Sequence, residues 1–159
     1  MIRFATPEDS ELVLALVTEL ADYEKLSHEV VGTVEDVRAS LGGDRPATEA
    51  LLAFHDGAPA GFALFFHNYS TFLARRGIYL EDLFVRPQFR GKGIGRALLA
   101  SLARIACDRK CGRLEWAVLD WNAPALGFYE KLGARVMSEW RVHRLTGASL
   151  EALAREAND

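Results

Sequence analysis

Arg90-Gly91-Lys92-Gly93-Ile94-Gly95-Arg96 is the segment of this chain whose residue types and spacing point most directly to chemistry. It follows an apolar run, Leu83-Phe84-Val85, and opens a stretch in which Ile94, Leu98, Leu102, Ile105 and Ala106 recur at helical spacing. A helix starting at Gly93 presents unpaired backbone N–H groups and the positive end of its dipole, so an anion is stabilised there. Gly91, Gly93 and Gly95 let the backbone come close, while Arg90, Lys92 and Arg96 add charge suited to a ligand with several phosphate charges. The bland alternative is a glycine-rich turn with solvated basic residues. A P-loop requires Lys then Ser or Thr after its final glycine, whereas Arg96 and Ala97 follow Gly95. A dinucleotide fold places its glycine turn on an early strand, and here the turn lies past mid-chain.

Other reactive side chains make no recognisable constellation. His28, His55, His67 and His143 lack metal-ligand spacing and no Ser-His-Asp grouping stands out, so no metal and no covalent enzyme intermediate are expected. Cys107 and Cys111, with no partner Cys or His nearby, read as reduced core thiols. The formal charge of -3 and pI near 5.8 exclude a general nucleic-acid binder and suit a small cationic ligand.

The elements that must position the loop follow from the rest of the chain. With 159 residues, half of them hydrophobic, one well-cored domain over residues 1–159 is expected. No signal-peptide pattern and no bilayer-length apolar run are present, which predicts a cytoplasmic protein without a membrane partner. Ile2 to Ala5 reads as a strand, and Thr6-Pro7-Glu8-Asp9 opens a helix running to about Leu26. Thr33 caps a second helix that ends near Gly42-Gly43. Two antiparallel strands between Glu49 and Phe66 flank the turn Asp56-Gly57, with Pro59 awkward beside it. Asn68 to Gly77 reads as a connection, Ile78 to Val85 as a strand and Gly93 to Lys110 as a helix. Then come a strand from Leu114 to Leu119, a short helix from Asn122 to Leu132, a strand from Val136 to Leu145 and a final helix from Ser149. The order predicts an α/β (α+β) fold: a mixed central sheet covered by helices, in which the strands either side of the long helix run parallel.

Arg90-x-x-Gly93-x-Gly95 after Leu83-Phe84-Val85 resembles the acetyl-CoA signature of the GNAT N-acetyltransferase superfamily, and the element order agrees along the whole chain. Within it, Glu19 to Glu24, Tyr79 to Val85 and Trp121-Asn122-x-Pro124-x-x-x-Phe128-Tyr129 are similar to the spermidine/spermine (diamine) acetyltransferases and their thialysine-acetylating relatives. The resemblance implies the GNAT fold with strands 4 and 5 splayed, and acetyl-CoA as co-substrate. Its pantetheine arm would lie along Leu83, Phe84 and Val85, its pyrophosphate in the loop from Arg90 to Arg96, and further contacts would come from Asn122, Ala123, Pro124 and Ala125. Exposed backbone groups of strand 4 would pair with the amide-rich arm as an added strand does.

The resemblance also assigns Tyr129 as the acid toward the leaving sulfur and Glu81 as a base, acting through water, or a substrate anchor. A primary amine with pKa near 10.4 is about a thousandfold more protonated than free at pH 7, so some group must accept its proton. In a regular strand Glu81 and Asp82 point to opposite faces, so only one reaches the site unless a bulge intervenes. Substrate contacts carry over to Tyr23, Glu24, Glu81, Glu115, Trp116, Ala117 and Glu139, acids and aromatics that suit an aliphatic ammonium ion. Ser70 stands where the spermidine/spermine enzymes carry an acid, which shifts the expected acceptor from long polyamines toward a short diamine or a lysine-like amino acid. Acetylation of a protein amine, and a CoA-binding module without catalysis, are the other readings; Glu81 and Tyr129 together favour an enzyme. The resemblance further implies a homodimer.

Overall fold

In the computed structural model, which describes residues 1–157, the chain opens with β1 (Ile2–Phe4) and α1 (Ser10–Glu24). Thr6 and Asp9 close the turn into α1: the Asp9 carboxylate accepts the Thr6 backbone N–H at 2.8 Å, and Arg3 donates to it twice at 2.7 Å. The Arg3 guanidinium is the main reason the Asp9 carboxyl is held down to about 2. α1 stops at Glu24 rather than Leu26 because Lys25 turns into the left-handed region.

α2 (Val34–Leu41) is capped by Thr33 and Asp36. Then come β2 (Glu49–His55), β3 (Ala58–Ser70), β4 (Arg75–Val85), α3 (Ile94–Asp108) and β5 (Leu114–Trp116). These elements belong to one compact unit, Met1–Ala117, whose sheet has the order β1-β2-β3-β4-β5. Neighbours are antiparallel except β4 and β5, which are parallel as the crossover predicts. Asp56 and Gly57 both have positive φ, the geometry that a two-residue hairpin turn requires, and a register shift beside Ala53 accommodates Pro59. Val13, Leu16 and Leu20 of α1 pack on Leu52, Phe62 and Phe84, which stand in register across β2, β3 and β4. Burying each of these side chains contributes roughly 1.5–3 kcal/mol. α3 packs on the same three strands through Leu98, Leu99, Leu102 and Ala106.

The structure corrects several expectations. Asn68 to Gly77 is not a connection: Asn68, Tyr69 and Ser70 extend β3 and pair with Gly77, Arg76 and Arg75, leaving a tight turn over residues 71–74. Polar side chains there hide a backbone that pairs with β4. β5 ends at Trp116, three residues before the expected limit. Cys107 is exposed and Cys111 lies beyond α3, so the pair is not a set of core thiols on one helix.

The second unit starts at Val118 and contains α4 (Ala123–Lys131) and α5 (Gly147–Ala154). Val136 to Leu145 is not a strand; it pairs with no other segment among the described residues, and alternation alone cannot satisfy a strand's backbone. No helix of the described residues is long and apolar enough to cross a membrane.

Candidate active site

After β4, Arg86 fastens the chain to α1: its guanidinium donates to the Glu19 carboxylate at 2.6 to 3.2 Å and to the Pro59 carbonyl at 2.8 Å. The loop that follows holds Gly91 and Gly93 at φ 76° and 78°, a region that an L side chain adopts only with strain. Gly93 caps α3 and no side chain caps its first turn, which leaves backbone N–H groups that can accept an anion there. Lys92 and Arg96 are exposed beside them. Arg90 Nε donates to the Val85 carbonyl at 2.9 Å, and its guanidinium stacks 4.6 Å from the centre of the Tyr23 ring and 5.8 Å from that of Phe84. These features fit a pyrophosphate: free backbone donors, cations on the flanks and no Cβ in the way.

Along β4 the register with β3 shifts once. Leu64 pairs with Asp82 and Phe65 with Leu80, so Glu81 is the extra residue of a bulge. On its other edge β4 pairs with β5 only over Ile78, Tyr79 and Leu80. From Glu81 to Val85 that edge carries no strand partner among the described residues, as expected where strands 4 and 5 splay apart. Leu83 and Phe84 therefore sit on an edge that an added extended chain could join, whereas the neighbouring Val85 carbonyl already accepts from Arg90 Nε.

The bulge gathers acids. Asp82 is half-buried and its carboxyl is pushed up to about 6, first by burial and then by the charges of Glu81 and Glu24. Glu24, at the end of α1, is also raised by burial. Tyr79 packs on Phe66 with ring centres 5.3 Å apart, and its hydroxyl is raised by burial and by Glu81 and Glu115. Glu115 stands in register with Tyr79 and accepts a hydrogen bond from Asn68 Nδ2 at 3.4 Å. Of the residues expected to hold substrate, Glu24 and Glu81 thus act electrostatically on Asp82, Glu81 and Glu115 act on Tyr79, and Tyr23 precedes Glu24 in α1. Trp116, half-buried, is in register with Leu80, and Ala117 ends the unit. Ser70 accepts the Leu73 N–H at 3.2 Å, which engages its hydroxyl in the hairpin turn.

Asp82, Tyr79 and Asn68 adjoin these acids, and the sequence singles out none of the three. Strict alternation assigns one acid of the Glu81-Asp82 pair to the site, and the bulge overrides it. Asn68 is hidden by the false connection.

In the second unit, Asn122 is buried and caps α4, its side-chain oxygen accepting the Ala125 N–H at 3.3 Å, with Ala123 and Pro124 forming the first turn. Tyr129 lies in α4 with its ring 5.4 Å from that of Phe128. Glu139 is exposed.

A strand edge without a strand partner among the described residues thus leads into a glycine-lined helix start that no side chain caps, with acids at the bulge beside it. Residues 16–134 match the model of the acetyltransferase (GNAT) family. The chain is 39% identical to thialysine N-epsilon-acetyltransferase of Bos taurus, over 97% of this chain and 96% of the relative. It is 36% identical to L-ornithine N5-acetyltransferase of Arabidopsis thaliana, over 96% and 86%. Among solved structures, an integron cassette protein of V. cholerae superposes with a TM-score of 0.80 at 26% identity, covering 98% of this chain and 97% of that one. The chain belongs to the acetyltransferase (GNAT) family, and it is an N-acetyltransferase.

Proposed function

We propose that this enzyme moves the acetyl group of acetyl-CoA directly to the primary amine of a small cationic metabolite, with a thialysine-, lysine- or ornithine-like amino acid or a short diamine as acceptor. The observation that carries this reading is the set of acids along β4, with Glu24 and Glu81 acting on Asp82 at the bulge and Glu115 opposite Tyr79 just before it, next to the strand edge without a partner among the described residues. The names of the curated relatives agree with it.

Acetyl-CoA supplies the activated acetyl thioester. Gly91 to Gly95 with Arg90, Lys92 and Arg96 bind the pyrophosphate, and Asn122 to Ala125 add contacts to the donor. The backbone of Leu83, Phe84 and Val85 pairs with the amide-rich arm, and N–H groups at the bulge polarise the thioester carbonyl. The acids attract the ammonium ion, with Tyr23, Trp116, Ala117, Ser70 and Glu139 shaping the acceptor side. Glu81 takes the amine proton through water, and Asp82, poised near neutrality, shares it. Tyr129 donates a proton to the departing sulfur; a phenol with reference pKa about 10 stays protonated at neutral pH, although a thiolate, at about 8.5, already leaves well.

The enzyme acts in the cytoplasm as a homodimer, without a nucleic-acid or membrane partner. A screen of purified enzyme for acetyl-CoA consumption with putrescine, spermidine, spermine, ornithine, lysine, thialysine and a peptide amine tests the acceptor class. Turnover with short diamines or the amino acids is expected, and reaction with the peptide alone would overturn the proposal.

A further inference from the structure

At the end of the sheet away from the glycine loop lies a cavity of about 730 Å³, lined by Arg45, Thr48, Glu49, His67, Arg76 and Arg109 among others. Arg76 stands near the start of β4 and the glycine loop follows its end at Val85, so the two places are roughly 30 Å apart along the strand at about 3.3 Å per residue. Charge in the cavity is unbalanced. Arg109 and Glu49 neutralise each other through a two-pronged pair at 2.5 and 2.8 Å. Among the described residues no carboxylate pairs with Arg45 or Arg76. His67 is half-buried, with Nδ1 3.9 Å from the Glu49 carboxylate.

We propose that this cavity is a second ligand site, for a small polyvalent anion bearing phosphate-like or carboxylate oxygens. Arg45 and Arg76 supply planar forks that match such oxygens bidentately, and a cavity of this size accepts a metabolite rather than a lone halide. Arg109, paired with Glu49, offsets that carboxylate's repulsion of an anion. His67 is the third donor. Burial lowers its proton affinity, Arg109 and Arg76 lower it further, and Glu49 partly offsets them. An anion set among these groups reverses the balance: His67 takes up a proton as the anion binds, and affinity rises as pH falls. The site is independent of the acetyl-transfer reading, since none of its residues serves that reaction.

Titration calorimetry with sulfate and with citrate tests this, the first probe reporting phosphate-like recognition and the second carboxylate recognition. Saturable binding of at least one is expected. Arg45→Ala/Arg76→Ala should weaken it by roughly tenfold or more, as expected when charged hydrogen bonds are lost, while Arg90→Ala/Lys92→Ala leaves it unchanged. Both cavity arginines are exposed, and an Arg45→Lys/Arg76→Lys variant with partial affinity guards against a folding artefact. Sulfate, whose charge is constant from about pH 6 to pH 8, should bind more tightly at the acid end, and His67→Gln should remove that dependence. No saturable binding of either probe, equal binding by the Arg45→Ala/Arg76→Ala variant, or loss in the glycine-loop variant instead would each overturn the proposal.

Discussion

Asp82→Asn should make the protein more stable at neutral pH and leave it unchanged in acid. The Asp82 carboxyl is raised from an ordinary 3.8 to about 6, by burial and by the neighbouring Glu81 and Glu24. Because the folded-state value lies above the unfolded one, the folded state binds the proton more tightly between about pH 4 and pH 6. Stability therefore falls as pH rises through that window and stays reduced above it. About two pH units at 1.36 kcal/mol each gives roughly 2–3 kcal/mol. Asparagine keeps the shape and cannot ionise, so the variant should gain about that amount at pH 7 to 8 and nothing below about pH 4. Urea unfolding across this range, extrapolated linearly at each pH, reads it directly. Wild-type and variant curves that run parallel would refute the reasoning. The gain should come at the expense of function: with one anion fewer at the bulge, kcat/KM for the amine should fall by about tenfold.

Three further outcomes are expected. Tyr129→Phe should lower kcat by roughly 10- to 100-fold, the low end for a general acid, with acetyl-CoA affinity by calorimetry unchanged; an unaltered kcat would remove Tyr129 from the chemistry. Arg90→Ala should raise the KM for acetyl-CoA about tenfold, because the loop loses a phosphate cation and its stack on Tyr23. Gly61→Ala should cost about 3 kcal/mol in thermal unfolding: a Cβ there would run into the Phe84 carbonyl and lie 3.0 Å from Val85 Cα, inside the β3–β4 pairing.

The sequence was most legible where local chemistry and tertiary demand coincide. The glycine loop, the α3 stripe and the Asp56-Gly57 turn each state their own geometry, and the structure keeps them. It was least legible where the backbone obeys partners far along the chain. The bulge at Glu81 exists because β3 and β4 pair out of step, which no residue near Glu81 announces, and it brings Asp82 under the influence of Glu81 and Glu24. Asn68 to Ser70 read as loop because their side chains are polar, yet the hydrogen-bonding demand of β4 makes them strand. Val136 to Leu145 fails in the opposite sense, with strand-like alternation and no strand pairing among the described residues. The family resemblance points to Glu81, Glu24 and Glu115; the effects of Glu81 and Glu24 on Asp82, and of Glu81 and Glu115 on Tyr79, need the fold.

Initial-rate kinetics with both substrates varied test the proposed chemistry most directly. With acetyl-CoA against ornithine, thialysine or a short diamine, double-reciprocal lines should intersect and mass spectrometry should find the acetyl group on the amine, as direct transfer in a ternary complex requires. Parallel lines with an acetylated protein side chain, or no acetylated small amine although acetyl-CoA binds, would contradict it.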